Sequence, residues 1–324
     1  MAVVICFASV VWLAIGFLVG AQVDDEEYWH SIPSTIIAAQ GLWRGELDLW
    51  TSHFGLGVPQ PFGQSLFMHP LTLLLAVMPV VQWVKLFYMV HLIVAAYGIW
   101  LLLRRVEASA FGAAIGVATY ILASPAQNYA LRDFWPSLWL VYTLAPLLLF
   151  ALLVLCEAGN ARSRLLGALG VGLTAGLMGA SGHWGNLVVF IPSYLLFLAL
   201  HVRQVKRNWR WVALATTIAV VLAAPIAVNL FTELRLSPNT LSRGINTDTL
   251  TVDSFWDIFV RPFGPPFDDW TQMTLDRGAR VLFFGGPAAV PTIFYLVVVR
   301  TRVDLCLGWL APLLVLTVPG LLVT

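Results

Sequence analysis

Apolar runs of about 20 residues, the length a helix needs to cross a bilayer, recur from one end of this chain to the other. They fall at 2–22, 80–103, 110–125, 136–156, 165–181, 186–200, 211–231, 281–299 and 304–323. With 59% of its 324 residues hydrophobic and 11% charged, the apolarity sits in uninterrupted blocks and not in a soluble amphipathic pattern. The expected fold is therefore all-α, a polytopic transmembrane helix bundle of about nine spans in a single domain over 1–324. The first run lacks a basic leader and a cleavage site, so it reads as a retained span. The last stops inside an apolar block, so the chain reads as truncated at its C-terminus.

Charge sets the topology. Basic residues cluster at Arg104 and Arg105, at Arg162 and Arg164, at Arg203, Lys206, Arg207 and Arg210, and at Arg300 and Arg302. Successive clusters lie two spans apart and so share one side, which the positive-inside rule makes the cytoplasm. The N-terminus is then cytoplasmic, and the two long polar segments, 23–79 and 236–280, are external loops. The formal net charge of +1 gives no reason to expect nucleic acid as a partner. Cys6, Cys156 and Cys306 lie in or beside apolar runs and imply no disulfide framework.

The apolar stretch Leu71 to Met78 is about half a crossing long and is bracketed by Pro70 and Pro79. Counting it as a span would put the acidic first loop on the arginine side, so it reads as a short helix in the outer interface. A second interfacial helix is expected near Pro33, which suits a first turn, with Gly41 as its C-terminal cap. Its apolar face would hold Ile32, Ile36, Ile37, Ala39 and Leu42. The run GLGVPQPFGQ, 55–64, has too much Gly and Pro for a regular element. Trp29, Trp43 and Trp50 fit an interfacial aromatic belt. Gly167, Gly170, Gly172, Gly176, Gly179 and Gly182 lie along one helix at spacings that allow close packing, an architectural signal.

Residues 23–70 concentrate the polar chemistry: four consecutive carboxylates, Asp24 to Glu27, and the histidines His30, His53 and His69. A helix from Ala2 to Val23 rises about 30 Å, which sets Asp24 and Asp25 where the first span leaves the hydrocarbon. Alone, this acidic run reads equally as a catalytic pair or as a solvated flank that stops the helix from sliding inward.

The order of residues in the loop separates those readings. Asp24, Asp25 and Tyr28 follow the first span, then GLWRGELDLWTSHFGLGVPQ from Gly41 to Gln60, then MHPL from Met68 to Leu71. This resembles the opening of membrane glycosyltransferases of the GT-C superfamily, and in detail the YfhO-like family of bacterial membrane proteins. It covers the first loop, and the later spans in layout alone. The resemblance implies a polyprenyl-phosphate-linked sugar donor and inverting transfer to a glycan, lipid or polymer acceptor at the outer face of the bacterial plasma membrane. It implies a catalytic carboxylate in the first external loop, which Asp24 and Asp25 match.

Displacement at an anomeric carbon needs a base for the incoming hydroxyl and a cation for the departing phosphate. Asp24 or Asp25 would be the base. Candidates for binding substrate on the external side are Arg132, His183, Arg235 and Arg243, with His53 for acceptor or phosphate. Two of these have a plainer role: Arg132 can pair with Asp133, and Arg235 with Glu233. His183 beside Trp184 has little reason to be there for packing. His69, just before Pro70, reads as a cap of the interfacial helix. The adjacent carboxylates with His30 or His53 could hold a divalent cation beside a phosphate, but no H-E-x-x-H or paired-cysteine spacing exists and no metal is assigned. The segment FWDIFVRPFGPPFDDW, 255–270, reads as an ordered lid or as a mixed-charge solvated loop. Two other functions compete: a lipid or solute transporter or flippase, and an inactive truncated homologue. Transport calls for ionisable groups buried at mid-bilayer, and the charged residues here cluster at span ends.

Overall fold

The computed structural model describes residues 1–20, 26–45, 50–51, 58–59, 66, 68–122, 136–181, 194–195 and 197–236. These residues are helical, apart from connections and one two-residue antiparallel pair. The helices are α1 (Ala2–Gly20), α2 (Glu26–Trp43), a 3-10 helix (Pro70–Ala76), α3 (Val80–Arg105), α4 (Ala110–Ile121), α5 (Pro136–Glu157), α6 (Ala161–Gly179), α7 (Val202–Arg207) and α8 (Trp209–Leu236). Residues 194–195 and 197–200 are helical and lead into α7. The pair is β1 (Trp50–Thr51) with β2 (Val58–Pro59), so part of the Gly/Pro-rich run expected to be irregular is paired. Val80–Arg105, Trp139–Glu157 and Trp209–Val228 are long and apolar enough to cross a membrane. Ala2–Leu18 and Ala110–Ile121 are shorter apolar helices. The expected spans 281–299 and 304–323 lie outside the described residues, as does the second external loop beyond Leu236.

Contacts between helices fix the relative directions of α3, α4, α5, α6 and α8. Tyr88 stacks on Trp139, Gly98 faces Leu147, and Arg105 pairs with Glu157, so α3 and α5 run parallel. Tyr120 meets Tyr142 and Gly116 meets Leu103, so α4 is antiparallel to both. Gly167 faces Leu155 and Gly170 faces Ala151, an antiparallel α5–α6 pair. Gly172, Gly176 and Gly179 face Ala215, Ala219 and Ala223, so α6 and α8 are parallel.

This alternation gathers the basic clusters. Arg105 donates to Glu157 at 3.0 and 3.1 Å, joining the end of α3 to the end of α5. The Arg164 guanidinium donates to the Ala158 carbonyl at 3.3 Å, and Asn208 Nδ2 to that of Leu155 at 2.8 Å. The first three clusters therefore share one end of the bundle, as their spacing predicts. The partly exposed Arg105–Glu157 pair contributes less than about 1 kcal/mol, so it marks that end more than it stabilises it.

The glycine stripe on α6 serves two neighbours. A Cβ on Gly167 would lie 2.8 Å from Leu155 N, and one on Gly172 2.9 Å from Ala215 O. Both are backbone atoms, which cannot swing aside. Lipid tails are as apolar as leucine, so close contact between helices supplies attraction that burial from water cannot.

The end opposite the basic clusters departs from expectation in two places. The helix α2 begins at Glu26, so Glu26 and Glu27 are helical, and Pro33 stands in its interior instead of its first turn. Gly41 is inside the helix as well. The left-handed residue that follows the end is Gly45, with φ +72°, its N–H bonded to the Leu42 carbonyl at 3.0 Å. Secondly, the expected interfacial helix at 71–78 is the 3-10 helix Pro70–Ala76, and it folds back along α3. Trp83 Nε1 donates to the Leu71 carbonyl at 2.7 Å, and His69 reaches His91. Those two α3 residues are about 12 Å of helical rise apart. α2 covers the segment from the other side, where Thr35 Oγ1 accepts the Leu66 N–H at 3.4 Å.

Candidate functional site

Asp24, Asp25, His53, Arg132, His183 and Arg243 lie outside the described residues. Arg235 falls in the last turn of α8, which runs to Leu236, five residues beyond the span end read at 231. The described polar chemistry lies elsewhere, along the seam between α3 and the 3-10 helix.

At its centre two histidines meet, 22 residues apart in sequence, with Nε2 atoms 3.2 Å apart. His69 is 7% exposed and His91 3%. Local structure brings His69 there: Pro70 starts the 3-10 helix, and the residue before it takes an extended conformation (φ −79°, ψ 131°) that turns its ring onto α3. The His69 N–H bonds the Leu66 carbonyl and its own carbonyl accepts the Thr72 N–H, both at 2.9 Å. Thr72 Oγ1 donates to Leu66 O as well. His91 sits on the α3 face that also carries Phe87, one turn earlier, with ring centroids 4.2 Å apart.

The surrounding hydrogen bonds fix the tautomer of each ring. His69 Nδ1 accepts the Leu71 N–H at 3.2 Å, so in the neutral ring the proton is on Nε2. His91 Nδ1 lies 2.7 Å from the Phe87 carbonyl, which can only accept, so that nitrogen carries a proton and Nε2 is the free lone pair. His69 Nε2–H therefore donates to His91 Nε2. The result is a one-way chain from Leu71 N–H through both rings to Phe87 O, with all four ring nitrogens engaged.

A proton added to either ring would have to displace one of these bonds. Burial, and then the neighbouring His91, hold the His69 value down from its ordinary 6.5 to about 3. His69 is thus neutral near pH 7. A metal bridging the two Nε2 atoms would require His69 to lose its last ring proton while Nδ1 still accepts from Leu71. Among the described residues no group of three metal-ligating side chains occurs. With no free lone pair the rings are poorly placed to act as a general base, and their chemical effect is to join the folded-back segment to α3.

Beside this seam, from Tyr88 of α3, a ladder of rings crosses the bundle. Phe17 of α1 stacks on Tyr88 at 3.8 Å, Tyr88 on Trp139 at 4.7 Å, and Trp139 neighbours Tyr142, whose ring stacks on Tyr120 at 4.4 Å. The last two also exchange hydrogen bonds, each hydroxyl donating to the other's carbonyl at 2.6 Å. That reciprocal clamp fixes α4 against α5 in both register and rotation.

The sequence reading of His69 as a cap holds, since its Nδ1 caps the 3-10 helix. His91 was missed. The signal was available, because a histidine inside an apolar span must find a partner there. It also qualifies the expectation that ionisable residues keep to span ends. Compared with protein-family models, with curated proteins and with solved structures, the chain matches none, so its own residues carry the functional argument.

Proposed function

We propose that this chain is a membrane glycosyltransferase of GT-C type with about nine spans, moving a sugar from a polyprenyl-phosphate donor to a cell-envelope acceptor at the outer face. Asp24 or Asp25 is the base for the incoming hydroxyl. Arg132, His183, Arg235, Arg243 and His53 are the groups from which the phosphate and acceptor contacts are drawn. The observation that supports this is the direction of α1. Phe17 stacks on Tyr88, in the third turn of α3, so α1 ends toward the start of α3 and away from Arg105 and Glu157. The two aspartates follow that end in sequence. If the basic end faces the cytoplasm, the chain leaves α1 on the side where a lipid-linked sugar is used.

The test is transfer of a radiolabelled sugar from polyprenyl phosphate to envelope acceptors by the purified chain, with Asp24→Asn and Asp25→Asn assayed separately. The variant that removes the base should lose about 10²–10⁴-fold in rate. Undiminished transfer by both would end this mechanism.

One observation favours transport as a second reading: an ionisable pair buried beside the interior of a candidate span, at His69 and His91. Its full complement of hydrogen bonds weighs against it, because a proton or ion carrier needs an open site. Loss of radiolabelled solute uptake in vesicles on His91→Leu, with sugar transfer absent from the unmodified chain, would select transport.

A further inference from the structure

The corner between α7 and α8 combines exposed cations, an exposed indole and a junction tied to the bundle. Arg203, Lys206 and Arg207 on α7 and Arg210 at the start of α8 are all exposed, and among the described residues none has an ion-pair partner. Trp209 between them is 61% exposed, with the Arg210 guanidinium 5.6 Å from its ring centroid. Yet the corner is held rigidly: Asn208 is 2% exposed and bonds through Nδ2 to the Leu155 carbonyl, tying the junction to the last turn of α5.

The level of this corner is set by the spans it joins. The candidate span Trp209–Val228 starts at the tryptophan, and Val220, Val221 and Val228 along it are exposed. An exposed apolar helix of that length faces hydrocarbon, so the headgroups of the same lipids lie at its first turn. An amphipathic indole beside exposed cations suits that layer, and cations there attract anionic lipid. A soluble acidic partner would not need the tryptophan or the fixed depth.

We infer that the α7–α8 corner is a docking surface for anionic phospholipid headgroups, with Trp209 as its interfacial anchor and Arg203, Lys206 and Arg207 as the cations facing the phosphates. This requires that the chain span a membrane, but no glycosyl transfer. Its failure therefore leaves the aspartate mechanism untouched, and failure of that mechanism leaves it standing.

The experiment uses the full chain in neutral detergent, titrated with phosphatidylglycerol or phosphatidylcholine and read by native mass spectrometry. Phosphatidylglycerol should be retained about a hundredfold over phosphatidylcholine, and the preference should fall at high salt. Arg203→Gln with Lys206→Gln and Arg207→Gln should cut phosphatidylglycerol binding about a hundredfold, at roughly fivefold per charge, and leave phosphatidylcholine unchanged. Should the triple variant not be recovered folded, exposed Arg207→Gln alone should show the fivefold step. Equal retention of the two lipids, or an unaltered preference in the recovered variants, overturns the inference. So does binding of a polyglutamate peptide without any preference for phosphatidylglycerol, which would assign the corner to an acidic protein partner.

Discussion

Two buried seams hold this bundle together by opposite means. Where α6 meets α5 and α8, glycines remove side chains so that backbones approach. Where α3 meets the 3-10 helix, side chains fill the gap and the contact is polar, through His69, His91 and the Trp83 indole. The first seam depends on shape and fails when volume is added. The second depends on pairing and fails when a partner is removed or a proton is added.

The widest separation between the two should come from pH. The folded His69 value lies below the unfolded one of about 6.5, so the unfolded chain takes up the proton first as pH falls. This contribution is complete above pH 6.5 and drains away toward about 3, at up to about 1.4 kcal/mol per pH unit. Denaturation of the detergent-solubilised chain between pH 7.5 and 4.5 measures it. Replacing both rings, His69→Asn with His91→Asn, keeps an acceptor for the Leu71 N–H but leaves nothing in the seam to titrate, and should flatten the profile. An equally steep profile in that variant would mean the histidine seam is not the acid-sensitive one.

Next in size is added volume in the glycine seam. Gly167→Ala and Gly172→Ala should each cost about 1–3 kcal/mol, because the new methyl meets backbone. Gly98→Ala should cost less, since its Cβ would lie 3.0 Å from Leu147 N. The order Gly167 and Gly172 above Gly98 is the check, and a reversed order would show that the helices simply slide apart. Smaller still is the coupling between the histidines. In a cycle of His69→Leu and His91→Leu, the double variant should be about 0.6–1.7 kcal/mol less damaging than the singles added together. The cap lost with His69 appears on both sides of the cycle and cancels. Strict additivity would show that the 3.2 Å contact contributes nothing. The least effect is expected at the exposed rim, where Arg105→Gln should change stability by under about 1 kcal/mol and lose what effect it has in salt.

Much of the architecture was legible in the sequence because it is one-dimensional. Apolar length gave the spans at Val80 and Trp209 to within a few residues, and the spacing of basic clusters anticipated that Arg105, Arg164 and Arg207 would share an end. The α6 glycines were recognised as packing residues, but not that Gly167 serves α5 while Gly172 serves α8. Position before Pro70 identified His69 as a cap. The error at Pro33 had a local cause: proline marks a first turn in isolation, whereas here α2 already begins at Glu26 and continues through it.

What the sequence determined by itself is the all-helical character, the alternation of apolar runs and the charge asymmetry between the two ends. Each depends on composition along a segment. Tertiary structure decided which faces meet: that His69 finds His91, that Tyr120 and Tyr142 exchange hydrogen bonds, and that Asn208 ties α8 to α5. The reason is rotational. A helix apolar on every side carries no stripe to say which way it turns, so the angle about its axis is set when neighbouring helices interlock and buried polar groups find partners.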